Sequence, residues 1–200
     1  MKRVLLIIFV FCSVSIFAQQ DGKEIYVDKV NDFMISYPDE WDLEQGQEGE
    51  IVLYPPFAKD AFEQEYAQGD LDADSDENNP SQMLEEKIQF TPSRWDEGDL
   101  EEFVDKNFLS VDFSEFFDGF TIIKEGNEKI NGKNALWYVA TFNVGEEKAI
   151  SYFYFIKMFN RIIAIVSFCK EEGFELNYKI KYLEIIRSTK SYLDSMNEKR

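Results

Sequence analysis

Two hundred residues carrying 39 acidic and 21 basic side chains, for a net charge of −18, make a chain of single-domain size with a strongly acidic surface. That charge disfavours nucleic acid and anionic lipid as partners and favours cations or basic proteins, while serving equally well as a solubility device. The complete absence of histidine excludes Ser-His-Asp and Cys-His nucleophile systems as usually built, His-ligated zinc and imidazole acid–base work.

At the N-terminus, Lys2 and Arg3 precede an apolar run from Val4 to Phe17, with Ile16 and Ala18 at the positions a signal peptidase reads before its cut. Residues 1–18 are therefore expected to be a signal peptide cleaved near Ala18. The run is shorter than the roughly 20 apolar residues of a membrane span, so the product is expected to be exported and soluble, in the periplasm or outside the cell. Cys12 lies within the run behind bulky Phe11, where lipidation requires a small residue. Loss of Lys2 and Arg3 takes the charge from −18 to −20. Cys169 is then the single cysteine, so no intramolecular disulfide is available. Its setting, Ile165-Val166-Ser167-Phe168-Cys169, marks it as a small buried hydrophobe.

Residues 19–200 read as one domain. The first strand signal is the alternation of Phe33 to Tyr37, stopped by Pro38 and followed by Trp41; a second strand runs from Ile51 to Tyr54 before Pro55-Pro56, and a third from about Glu86 to Thr91. Between Asp60 and Glu86 lie 10 acidic residues and no Lys or Arg. This segment, about 60–85, reads as an exposed insertion. Within it Asp70, Asp72, Asp74 and Asp76 alternate along the chain, supplying the hard oxygen donors that calcium takes. Counted from Asp74, the positions Asp76, Asn78 and Glu85 match EF-hand offsets, but Asn79 stands where the turn glycine belongs and Pro80 follows. A solvated charge run that gathers cations diffusely is the alternative.

Asp99-Leu100-Glu101-Glu102 has the form of a capping box, and Leu100, Phe103, Val104, Phe108 and Val111 recur at helical spacing until Gly119. The phenylalanines at 113, 116, 117 and 120 fit core packing better than a ligand pocket. From there the turn signals Asn131-Gly132, Val144-Gly145-Glu146 and Phe159-Asn160-Arg161 mark out four strands, at about 120–130, 133–143, 147–158 and 161–169. The second of these is apolar on both faces, so the sheet must be covered on both, and helices are expected above and below it. A closing helix from about Phe174 to Ser191 places Leu176, Ile180, Leu183 and Ile186 on one stripe. The resulting fold class is α+β: an antiparallel sheet of about six to seven strands, ending in a meander and sandwiched between helices.

Four pieces in this order resemble the PsbP-like family: Phe-x-Ile-x-Tyr-Pro-x-x-Trp (Phe33 to Trp41), Leu-Glu-Glu-Phe (Leu100 to Phe103), Ile-Asn-Gly-Lys-x-Ala (Ile130 to Ala135) and Ile-Ile-Arg-Ser-Thr-Lys (Ile185 to Lys190). The resemblance covers nearly all of the chain after the signal segment except the acidic insertion. It implies the same sheet-and-helix sandwich and a non-enzymatic accessory or binding role with a protein partner. No functional residue is carried over, because the matching positions belong to strands, turns and core.

Three functional readings follow: an exported non-catalytic accessory or protein-binding protein without a cofactor, a calcium- or cation-binding module at Asp70, Asp72, Asp74 and Asp76, and a carboxylate-dependent hydrolase. The last would use two acids as glycosidases do, with Trp41, Trp95 or Trp137 stacking on a sugar. Trp41 and Trp137 are more simply core residues.

Overall fold

The computed structural model describes residues 22–46, 49–56, 86–96, 98–145, 147–171 and 179–198. Residues 1–18, read above as a signal peptide, and the acidic segment 60–85, with Asp70, Asp72, Asp74 and Asp76, lie outside the described residues.

The C-terminal meander forms as its turn residues dictate. Strands β6 (Asp118–Ile130), β7 (Lys133–Val144), β8 (Glu147–Met158) and β9 (Arg161–Lys170) are antiparallel neighbours. Asn131 and Gly132 adopt φ of +47° and +79° and Gly145 adopts +60°, the left-handed conformations that tight hairpin turns demand. Strands β3 (Asp42–Gln45), β4 (Ile51–Tyr54) and β5 (Lys87–Arg94) extend the sheet on the β9 side, giving the order β3-β4-β5-β9-β8-β7-β6. The seven strands are all antiparallel.

Alternation along the central strands sends their side chains into two cores. Ala135, Val139, Tyr152, Tyr154, Ile156, Ile163 and Ile165 face one way, while Tyr138, Ala140, Phe153, Phe155 and Ile162 face the other. The covers of the two cores differ from the expectation of helices alone. The second core is closed by α1 (Leu100–Val104) and the wider turn that continues it, Asp105–Leu109. The first is closed jointly by helix α2 (Lys179–Ser188) and a separate two-stranded sheet. In that sheet β2 (Phe33–Pro38) pairs with β1 (Lys23–Asp28), a strand absent from the expected set. Their connection is tied by the Asp28 carboxylate, which accepts from Val30 N and Asn31 N at 2.8 Å each. Alternation in β2 puts Phe33, Ile35 and Tyr37 into the first core and leaves Met34 and Ser36 half-buried on the outer side. Trp41 is a core residue, packed edge-on against Tyr182 with ring centroids 5.7 Å apart.

The first helix is shorter than the periodicity predicts, and the closing one ends at Ser188. Asp99 caps α1 by accepting from Glu102 N at 2.9 Å. The ladder then widens, with Ser110 N donating to Asp105 O at 3.0 Å, an i→i+5 bond. The extra residue keeps Phe108 in the core, 4.7 Å from Phe153, and rotates Val111 out to 38% exposure. In α2 the buried residues are Tyr182, Ile185 and Ile186, and Ile180 is 68% exposed, so the true stripe is turned from the expected one. Leu176 lies outside the described residues. The chain continues as α3 (Tyr192–Asn197), capped by Ser191.

Candidate binding cleft

Where β2, the β6–β7 turn and the end of α2 meet, backbone and side chains form a clasp. Met34 N donates to Lys190 O at 2.9 Å and Lys190 N to Met34 O at 3.0 Å, so residue 190 runs beside β2 as a third strand would. Ser36 N donates to Ser188 Oγ at 2.8 Å. The Ser188 hydroxyl lies 2.6 Å from Ile185 O and 3.0 Å from Ser36 O, its one proton serving one carbonyl at a time. Asn131, held left-handed at the tip of its turn, donates from Nδ2 to Arg187 O at 3.0 Å and Thr189 O at 2.9 Å. These carbonyls lie in and just beyond the last turn of α2, where the helix has no bonds of its own to offer them.

The clasp leaves a cleft of about 290 Å³ between the outer side of the β1–β2 hairpin and the chain from Arg187 to Lys190. Ile25 and Met34 give it an apolar floor, and Arg187, Lys190 and Asn131 give it a polar rim. Arg187 is committed in part: its Nε lies 3.2 Å from Glu128 Oε2, and Tyr154 OH donates to Glu128 Oε1 at 3.1 Å. Burial, then the Glu128 charge and hydrogen bond, push the Tyr154 phenol well above its ordinary range. It is therefore a fixed proton donor that orients Glu128. Lys190 carries no ion pair among the described residues.

Chemically this arrangement suits recognition. The cations sit next to apolar surface, which fits an anionic group carried on an apolar body. Among the described residues no cluster of three acidic or cysteine side chains is placed to hold a metal, and Asp70, Asp72, Asp74 and Asp76 lie outside them. The tryptophans considered for sugar stacking are engaged elsewhere. Trp41 is buried, Trp95 packs edge-on against Phe103 with Lys106 over its ring, and Trp137 stacks on Tyr154. The Cys169 thiol is buried, and that burial pushes it up out of the reactive range, as a small core residue requires.

Sequence patterns alone miss Glu128, Tyr154, Arg187 and Lys190 as a group. A signal was present: three of the four family-like pieces, Phe33 to Trp41, Ile130 to Ala135 and Ile185 to Lys190, converge on this cleft.

No protein-family model and no curated protein matches the chain. Among solved structures it is similar to the cyanobacterial PsbP, CyanoP, from Synechocystis sp. PCC 6803, at 12% identity and a TM-score of 0.55, over 87% of this chain and 95% of that one. It is also similar to a crystal structure from Bacteroides thetaiotaomicron VPI-5482, at 12% identity and a TM-score of 0.52, over 86% of this chain and 49% of that one, so it spans about half that protein's length. The fold is PsbP-like. Among the described residues no helix is long and apolar enough to cross a membrane.

Proposed function

We propose that this protein is an exported, non-catalytic accessory protein that binds a protein partner, and that its cleft takes an acidic or carboxylate-bearing segment of that partner. The observation behind this reading is the cation pair Arg187 and Lys190 beside an apolar floor, Lys190 without an ion pair among the described residues, in a chain of net charge −18. A desolvated carboxylate paired with an arginine or lysine gains orientation and specificity, and the adjacent Ile25 and Met34 surface adds affinity. The likeness to a PsbP structure agrees with such a role.

The test is affinity capture from an envelope extract on immobilised protein, comparing wild type with Lys190→Glu. Lys190 is half-buried and pairs with β2 through its backbone, so reversing its side-chain charge leaves the clasp intact. The expected result is loss of the wild-type partner at an unchanged melting temperature. Equal capture by both proteins would remove the cleft from the reading.

A second reading, cation binding at Asp70, Asp72, Asp74 and Asp76, rests on the alternation of those carboxylates. Saturating a specific site at a hundred times its dissociation constant adds about 2.7 kcal/mol of stability. Melting in millimolar calcium and in chelator should then differ; coincident transitions would leave only diffuse counterion binding.

A further inference from the structure

Strand β6 ends the seven-stranded sheet. It pairs with β7 on one side, and among the described residues no strand pairs with its other edge. The ladder to β7 is irregular between Asp118 and Lys124 and then continuous from Lys124 to Ile130. This regular stretch presents a row of backbone donors and acceptors outward. It holds Lys124, Glu125, Glu128 and Lys129 and so carries no net charge in a chain of −18. Self-repulsion, which opposes close approach elsewhere on this molecule, is locally absent.

The order of side chains matters more than their sum. Glu125, Asn127 and Lys129 share one face of β6, all exposed, and neither Glu125 nor Lys129 has an ion pair among the described residues. Read outward from Asn127, the pattern becomes its own complement when the strand is turned end for end. We propose that this edge is a homodimer interface, with two copies of β6 pairing antiparallel about a twofold axis through Asn127. Glu125 then faces Lys129 of the second copy, Lys129 faces the second Glu125, and Asn127 meets itself. Moving the axis to Glu128 leaves Lys129 facing Asn127, and moving it to Gly126 leaves Glu125 facing Asn127 and sets Lys124 against Glu128, a carboxylate already engaged by Arg187 and Tyr154. An axis through a residue yields a valid antiparallel ladder whichever way the Asn127 amide points. On the opposite face Gly126 leaves room: a Cβ there would lie 2.5 Å from the Trp137 ring, which already spreads over the glycine toward the edge. The second strand would cover that ring. Two-fold closure of this kind consumes the edge and stops at two copies.

Sedimentation equilibrium across the micromolar range tests the proposal with the full chain. Wild type should be a reversible dimer. Lys129→Glu should weaken it roughly tenfold or more, since two cross-strand pairs change from attractive to repulsive. Combining it with Glu125→Lys restores opposite charges in the same register and should bring dimerisation back. Asn127→Cys should cross-link to a covalent dimer under mild oxidation where wild type does not. A monomeric wild type, a Lys129→Glu protein that dimerises like wild type, or failure of the double reversal to restore the dimer would each overturn the proposal. The altered side chains are exposed, and unchanged circular dichroism melts check that folding is not what the variants report.

Discussion

The two faces of the sheet are covered by different kinds of contact. One face lies under the β1–β2 hairpin and α2, which are pinned to the rest by directional bonds from Asn131, Ser188 and Lys190. The other lies under α1 and its wide turn, where Phe108 sits within about 5 Å of the rings of Phe113, Tyr138, Phe153 and Phe155. Aromatic packing tolerates small shifts in position, whereas hydrogen bonds do not. The cleft occurs on the face held by bonds. A binding rim needs fixed polar atoms, and the clasp supplies them.

This contrast is sharpest where each face is struck at its centre. Phe108→Ala should be the most damaging single change, costing about 3–5 kcal/mol because the vacated space is lined by other rings and cannot close; denaturant unfolding measures it. A loss under 1 kcal/mol would mean that the aromatic cover can collapse, and the comparison would weaken.

Alkaline pH should strike mainly the other face. Burial, with Asp28 as a lesser cause, pushes Tyr26 up to about 12, and Tyr37 and Tyr154 are raised further by burial and by the carboxylates they donate to. In the unfolded chain these phenols lose their protons near pH 10. A group whose folded pKa lies above its unfolded value stabilises fully below the unfolded pKa and loses that contribution as pH rises. The melting temperature should therefore hold to about pH 10 and fall between pH 10 and 12, and Tyr154→Phe should make the fall shallower.

Asn131→Gly comes next in size. Glycine accepts the left-handed turn, so the substitution removes the two side-chain bonds to Arg187 O and Thr189 O without breaking the hairpin. A cost of about 1–2 kcal/mol is expected, together with faster amide exchange in residues 187–190. Unchanged exchange there would show that Asn131 does not hold the rim. The smallest effect should be Asp99→Ala, which removes the α1 cap and costs about 1 kcal/mol, read as a lower denaturant midpoint with unchanged cleft binding.

The same division explains what could be seen in advance. The meander was legible almost to the residue because Asn131-Gly132 and Gly145 are local signals for backbone states that few other residues adopt. The buried role of Trp41 and the N-cap at Asp99 were legible for similar reasons. The sheet to which β2 belongs was not, since alternation shows that a strand has an inner face and says nothing of its neighbour. In α2 two stripes compete, and the one through Tyr182, Ile185 and Ile186 wins because it is the one that β2 and the first core meet. The cleft is assembled from residues 25–36, 131 and 187–190. No local pattern spans such separations, so its parts looked like scaffold.

The bond between Ser36 and Ser188 joins residues 152 positions apart, and Lys190 closes on Met34 just beyond it. Contacts that distant form slowly, because a large loop must close before any of them is gained. The hairpin face is therefore completed last, after α2 and the residues that follow it are in hand. During synthesis the β1–β2 hairpin is made long before the residues that clasp it, and it must wait with one edge open. A chain stopped before Ser188 should complete the aromatic face and never the bonded one, so that in this protein the time of folding is set by the end of α2 and the two residues that follow it.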